Sequence, residues 1–92
     1  METIKVLIID DHPLFRQGIC WSLSAEADIE VVGQAENGTE AIKLTETLSP
    51  NVVLLDINLP GLNGLEVARV LKRRSPRMGI IVLSIHDDDE QL

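Results

Sequence analysis

The chain has 92 residues, of which 45% are hydrophobic, and its formal net charge is −7. This length suggests a single domain, and the acidic charge disfavours direct contact with the phosphate backbone of nucleic acids. Cys20 is the only cysteine, no signal-peptide pattern opens the chain, and the longest fully apolar run is four residues. We therefore expect a cytoplasmic protein without disulfides or membrane contact.

The first third of the chain predicts a strand, a helix and a second strand. Residues 4–9 are apolar on both faces, as in a parallel strand that helices cover on each side. A helix is predicted to open at His12-Pro13, because proline suits a first helical turn. A more polar segment, residues 29–35, predicts a strand at the edge of the sheet. The helical residues expected to face the core are Phe15, Ile19 and Leu23.

The rest of the chain continues the alternation of helices and strands. Asn37 and Glu40 resemble a capping box, which predicts a helix over residues 38–48. Residues 52–55 are wholly apolar and predict a central buried strand. A third helix is predicted over residues 65–74 and a fourth buried strand over residues 80–83. This β-α-β-α-β-α-β order predicts a parallel sheet with right-handed crossovers.

Polar residues follow three of the predicted strands. Asp10 and Asp11 follow the first, Asp56 the third and Ser84 the fourth. Ligand sites of such sheets lie at the carboxyl ends of the strands, so these side chains are expected to converge. Clustered carboxylates repel one another unless a cation neutralises them, and Mg²⁺ prefers such oxygen ligands. A carboxylate beside Mg²⁺ can also act as a nucleophile toward phosphorus.

Simpler interpretations exist for each of these residues. Asp10 and Asp11 would also suit the end of a strand and the start of a helix, and Asp56 would suit an ordinary turn. His12 could bind a metal, but it is more simply a loop residue before the proline that opens a helix. The acidic run at residues 87–90 suits the start of a helix better than a metal site.

Three stretches, "VLIIDDHPLFRQGI", "VVLLDINLPGLNGLEV" and "IIVLSIHDDDE", resemble the receiver domain of two-component response regulators. The segment "DDHPLFRQG" is most similar to the NarL/FixJ (LuxR-type) subfamily, whose output domain is a helix-turn-helix DNA-binding domain. The resemblance implies a flavodoxin-like (CheY-like) doubly wound sheet with strand order 2-1-3-4. It also implies a signalling switch rather than an enzyme, with a histidine kinase or phosphotransfer protein as partner and an output domain in the full-length protein.

The same resemblance implies a role for each site residue. Asp56 corresponds to the phosphoacceptor, and Ser84 to the hydroxyl that moves toward the phosphoryl group and begins the switch. The implied Mg²⁺ ligands are Asp11, Asp56, the backbone carbonyl of Asn58 and, through water, Asp10.

The family pattern continues beyond these residues into a complete fourth helix, a fifth strand that ends in a lysine, and a fifth helix. We therefore expect residues 1–92 to be an incomplete receiver domain, with the output domain absent. The lysines present are Lys5, Lys43 and Lys72, all within earlier elements. Without a fifth strand, residues 80–85 would form an exposed apolar edge that favours self-association or domain swapping.

Two other functions remain open at this point. If the lysine that ends the family's fifth strand is truly missing, the domain could be an interaction module that is never phosphorylated. The acidic residues could also belong to a Mg²⁺-dependent phosphatase with an aspartyl nucleophile. That second alternative is weak, because its haloacid-dehalogenase pattern needs two acids separated by one residue, whereas Asp10 and Asp11 are adjacent.

Overall fold

The computed structural model describes residues 2–59 and 63–83, which form a parallel four-stranded sheet in the order β2-β1-β3-β4. The elements are β1 (Ile4–Ile9), α1 (Pro13–Ser24), β2 (Ile29–Ala35), α2 (Gly38–Leu48), β3 (Val52–Asp56), α3 (Gly64–Arg74) and β4 (Gly79–Leu83). The predicted fold class, the strand order and the edge position of β2 are confirmed. No helix within the described ranges is long and apolar enough to cross a membrane.

The core lies between the sheet and the pair α2 and α3. Its side chains are aliphatic, as the near absence of aromatic residues requires, and alternate residues of the two central strands point into it. Helices α2 and α3 contact each other, whereas α1 contacts neither of them within the described residues and lies against β1 and β2. The buried members of the core cluster are Leu7, Ile9, Ala35, Ala41, Val53, Leu55, Leu59, Val67, Leu71 and Met78.

Local capping fixes the bounds of α2 as predicted. The Asn37 side chain accepts a hydrogen bond of 2.8 Å from the Glu40 N–H. The Glu40 carboxylate accepts in turn from the Glu36 N–H at 2.9 Å, one residue before the cap. The helix ends at Ser49, whose φ of 49° is left-handed, directly before Pro50. The chain therefore leaves α2 in the direction that β3 needs.

Two predictions of burial are wrong. None of the residues of α1 is fully buried, and the expected core residues of this helix are only half-buried. In β4, Ile81 is 51% and Val82 is 40% exposed, so this strand is not a buried one and instead agrees with the exposed apolar edge expected here. An apolar pattern identifies the face that can be covered, but actual burial depends on which elements lie over it. Among the described residues β4 pairs only with β3.

Candidate metal and phosphoryl site

The carboxyl end of β1 presents two adjacent acids, and the backbone holds them in different environments. The Asp10 N–H donates to the Ala35 carbonyl at 2.9 Å, which extends the pairing with β2 and leaves Asp10 almost wholly buried. Its Oδ1 accepts from the His12 N–H at 2.7 Å, which closes the turn into α1. The Asp11 side chain is 32% exposed and lies at the mouth of the site.

The carboxyl end of β3 presents Asp56, which is fully buried. The Asn58 N–H donates to Asp56 Oδ1 at 3.0 Å, so the backbone after the strand holds one oxygen of this carboxylate. The turn is closed by the Gly64 N–H, which donates to the Ile57 carbonyl at 2.9 Å. A Cβ on Gly64 would lie 2.5 Å from the Asp56 carbonyl oxygen, so only glycine allows α3 to begin this close to the site.

The structure brings together the acids that the sequence predicted. Ligand atoms of Asp10, Asp11, His12 and Asp56 all lie within 4.8 Å of one another, and these four residues are called the acidic cluster below. Buried carboxylate oxygens without a hydrogen-bond partner are Asp10 Oδ2, Asp11 Oδ1 and Asp56 Oδ2. Leaving such charged atoms without a partner is costly. The donor set and its missing partners therefore fit a divalent cation.

Of the remaining predicted site residues, the structure describes Asn58 but not Ser84. Asn58 lies beside the cluster, where its N–H contacts Asp56. Ser84 falls outside the described residues, as does the acidic run at residues 87–90. In the register of the sheet, however, Asp56 pairs with Leu83, the residue directly before Ser84.

None of the three lysines lies at a carboxyl strand end. Lys5 is near the start of β1, and Lys43 is exposed on α2. The Lys72 ammonium donates to the Met78 carbonyl at 2.9 Å, just before β4 begins. The expectation that these lysines are remote from the site is confirmed.

Sequence reasoning missed the role of Arg16. Its guanidinium donates from Nη1 to the Asp10 carbonyl at 2.6 Å and from Nε to the Gln34 side chain at 3.1 Å. These bonds tie the first turns of α1 to the ends of β1 and β2, and so fix the backbone that carries Asp10. No local pattern marks such a contact, because it joins residues from three different elements.

Comparison with known proteins agrees with this geometry. The family model of the response regulator receiver domain matches residues 6–92. The transcriptional regulatory protein DegU of Brevibacillus brevis is 48% identical over 86 residues, which are 94% of this chain and 36% of that protein. The nitrate/nitrite response regulator protein NarL of Escherichia coli K12 is 43% identical over 91 residues, which are 99% of this chain and 42% of that protein.

Solved structures match with high TM-scores. The signal receiver domain of a NarL response regulator from Mycobacterium tuberculosis has a TM-score of 0.84 and 36% identity, over 98% of this chain and 73% of that one. The isolated receiver domain of RcsB from Salmonella enterica, solved in the presence of the phosphomimetic BeF3−, has a TM-score of 0.87 and 32% identity, over 95% and 65% of the two chains. The chain spans about two fifths of the length of the curated relatives it matches. It belongs to the response regulator receiver domain family of two-component systems and is NarL-like.

Proposed function

We propose that Asp56 accepts a phosphoryl group in a Mg²⁺-dependent reaction. The observation that carries this proposal is the pair of buried carboxylates, Asp10 and Asp56, each with one oxygen that has no hydrogen-bond partner. These oxygens lie with Asp11 in one small cluster at the carboxyl edge of the sheet. Such a set of hard oxygen ligands suits Mg²⁺, which one or two carboxylates usually hold together with water and phosphate oxygens.

Each acid would have a distinct task toward the ion. Asp11 and Asp56 would bind it directly, together with the backbone carbonyl of Asn58, and Asp10 would act through water. When bound, Mg²⁺ neutralises the mutual repulsion of the carboxylates and screens an approaching anionic phosphoryl group. Arg16, by holding the Asp10 backbone, would act as a positioning residue rather than as a ligand.

The two oxygens of Asp56 differ in a way that suits a nucleophile. Oδ1 accepts the Asn58 N–H, which fixes the orientation of the carboxylate, while Oδ2 has no hydrogen bond. We infer that an Asp56 oxygen attacks the phosphorus of a phosphohistidine on a histidine kinase or phosphotransfer protein. The new P–O bond forms as the P–N bond breaks, and the released ring nitrogen takes a proton from water, which leaves hydroxide in solution.

The added charge at Asp56 would cause a conformational change that begins at the end of β4. Leu83 pairs in register with Asp56, so the next residue, Ser84, is the proposed hydroxyl that binds the phosphoryl oxygen and starts the conformational change. In the full-length protein this change would act on a DNA-binding output domain and so on transcription in the cytoplasm. The names of the relatives, which are transcriptional regulators, support this output.

Acetyl phosphate tests the proposal without a partner kinase. We expect the chain with Mg²⁺ and acetyl phosphate to gain one phosphoryl group by intact mass, and Asp56→Asn to gain none. The exposed Asp28→Asn change is the matched control and should leave labelling intact. Labelling that persists in Asp56→Asn would contradict the proposal.

The same experiment separates the two alternative functions. Ion binding without any labelling would indicate an interaction module that is not phosphorylated. Continuous turnover of a simple phosphate ester that is lost in Asp56→Asn would indicate a phosphatase. Receiver domains of transcriptional response regulators are typically not enzymes, so we do not expect the phosphatase.

A further inference from the structure

His12 lies in the loop directly before the proline that opens α1, as predicted, and its imidazole also belongs to the acidic cluster. Its Nδ1 lies 3.2 Å from Asp10 Oδ1 and 3.0 Å from Asp11 Oδ1. The side chain is 59% exposed, so the ring sits at the mouth of the site with this nitrogen turned toward the acids.

Hydrogen bonding explains only one of these two approaches. The contact of Nδ1 with Asp10 Oδ1 has the geometry of a hydrogen bond. Asp11 Oδ1, although 3.0 Å from the same nitrogen, is a buried oxygen without a hydrogen-bond partner. A protonated ring would pair with both carboxylates, whereas a neutral ring with its hydrogen on Nε2 presents the Nδ1 lone pair toward Asp11 Oδ1 and can bind a cation there.

The spacing of Nδ1 and Asp11 Oδ1 fits a cation that both atoms bind. Two neighbouring ligands of one divalent ion, each about 2.1 Å from it, stand about 3.0 Å apart in an octahedral site and about 3.4 Å apart in a tetrahedral one. The 3.0 Å between His12 Nδ1 and Asp11 Oδ1, the oxygen of a proposed direct ligand, falls in this range. The backbone also holds the ring in place, because the His12 N–H donates to Asp10 Oδ1 and Pro13 begins α1 directly afterwards.

We propose that His12 Nδ1 is a ligand of the divalent ion in the acidic cluster, and that it gives the site a preference for borderline ions such as Zn²⁺ and Ni²⁺. Mg²⁺ favours oxygen ligands, whereas imidazole nitrogen suits zinc and nickel. The inference shares the ion site of the proposed function but does not depend on phosphoryl transfer. Competition between Zn²⁺ or Ni²⁺ and Mg²⁺ would then control the fraction of the domain that holds Mg²⁺ for phosphoryl transfer.

Calorimetric titration with single ions tests the ligand role. In His12→Ala the affinity for Ni²⁺ should fall about tenfold or more, because one nitrogen ligand is lost, while the affinity for Mg²⁺ should change by less than about threefold. Equal losses for both ions would mean that His12 only positions Asp10, and unchanged Ni²⁺ binding would mean that the ring is no ligand. Either result would overturn the proposal.

A second readout uses the unmodified protein and is independent of any folding defect in the variant. Long-range ¹⁵N spectra at about pH 8, where free imidazole is neutral, should show a shift of His12 Nδ1 on saturation with Zn²⁺. A saturated site in which this nitrogen does not shift would refute the ligand role. Asp11→Asn separates the two proposals. It removes a ligand on which both depend, so it should lower the affinity for Mg²⁺ and for Ni²⁺ alike. If Asp11→Asn lowers the affinity for Mg²⁺ while His12→Ala changes the affinity for neither ion, the proposed function is supported and the ligand role of His12 is refuted.

Discussion

Replacing Asp56 by asparagine should stabilise the folded protein when no divalent ion is present. The change removes one of three carboxylates whose ligand atoms lie within 4.8 Å of one another. Asparagine has nearly the same shape, and its carbonyl oxygen can still accept the hydrogen bond that the Asn58 N–H gives to Asp56 Oδ1. The loss of repulsion should therefore exceed the loss of favourable contacts.

The size of the effect follows from the spacing. Two unit charges 4.8 Å apart interact by about 3.5 kcal/mol at an effective dielectric constant of about 20. Solvent screens the half-exposed Asp11, and a hydrogen bond to a neutral amide is weaker than one to a carboxylate by about 1 kcal/mol. We expect a net stabilisation of about 2 kcal/mol, which for a domain of this size raises Tm by about 10 °C.

Thermal and urea unfolding in a chelator would measure this difference. Saturating Mg²⁺ should raise the Tm of the unmodified protein but have much less effect on Asp56→Asn, because the ion then has one carboxylate ligand fewer. The exposed Asp28→Asn change should alter stability little in either condition. If Asp56→Asn is no more stable than the unmodified protein in the chelator, the acids are not crowded together as the structure places them.

Three further predictions test other features of the molecule. Gly64→Ala should destabilise the fold by about 1–3 kcal/mol, because the added Cβ meets the backbone at the end of β3. Gly18→Ala, with open space around the new Cβ, should stabilise the fold by about 0.5–1 kcal/mol. Equal effects of the two substitutions in urea unfolding would contradict this prediction. The chain should self-associate through β4, and Ile81→Lys should reduce its mass by light scattering at high concentration; a monomer at all concentrations would refute this. Burial raises the pKa of the Cys20 thiol, and Arg16 opposes this in part, so iodoacetamide should react more slowly with folded than with unfolded protein. Because the fold favours the neutral thiol, this contribution to stability is present at lower pH and is lost as pH rises through the folded pKa.

The sequence predicted the acidic site because the site follows from topology. Asp10 and Asp56 end two apolar strands, and parallel strands bring their carboxyl ends to one edge of the sheet. The bounds of α2 were predicted equally well, since Asn37 and Ser49 act through local backbone geometry. Features of this kind need no knowledge of which elements pack together.

Other features depend on contacts between distant residues and were missed. The bond from Arg16 to the Asp10 carbonyl exists only because α1 lies over the ends of β1 and β2. The position of His12 beside two carboxylates is local by contrast, but it depends on the side-chain geometry of the turn that Asp10 Oδ1 closes. The exposure of Ile81 agrees with the exposed apolar edge expected at residues 80–85 and contradicts the buried strand predicted from the apolar run alone, because burial depends on which element covers β4.

Mg²⁺ titration followed by ¹⁵N NMR tests the central claim most directly. We expect one saturable site, with the largest shifts at the amides of Asp11, Asp56 and Asn58, and we expect binding to weaken strongly in Asp11→Asn. Shifts that never saturate, or that centre on an exposed acid elsewhere, such as Glu30 of β2, would show that the acidic cluster does not hold the ion.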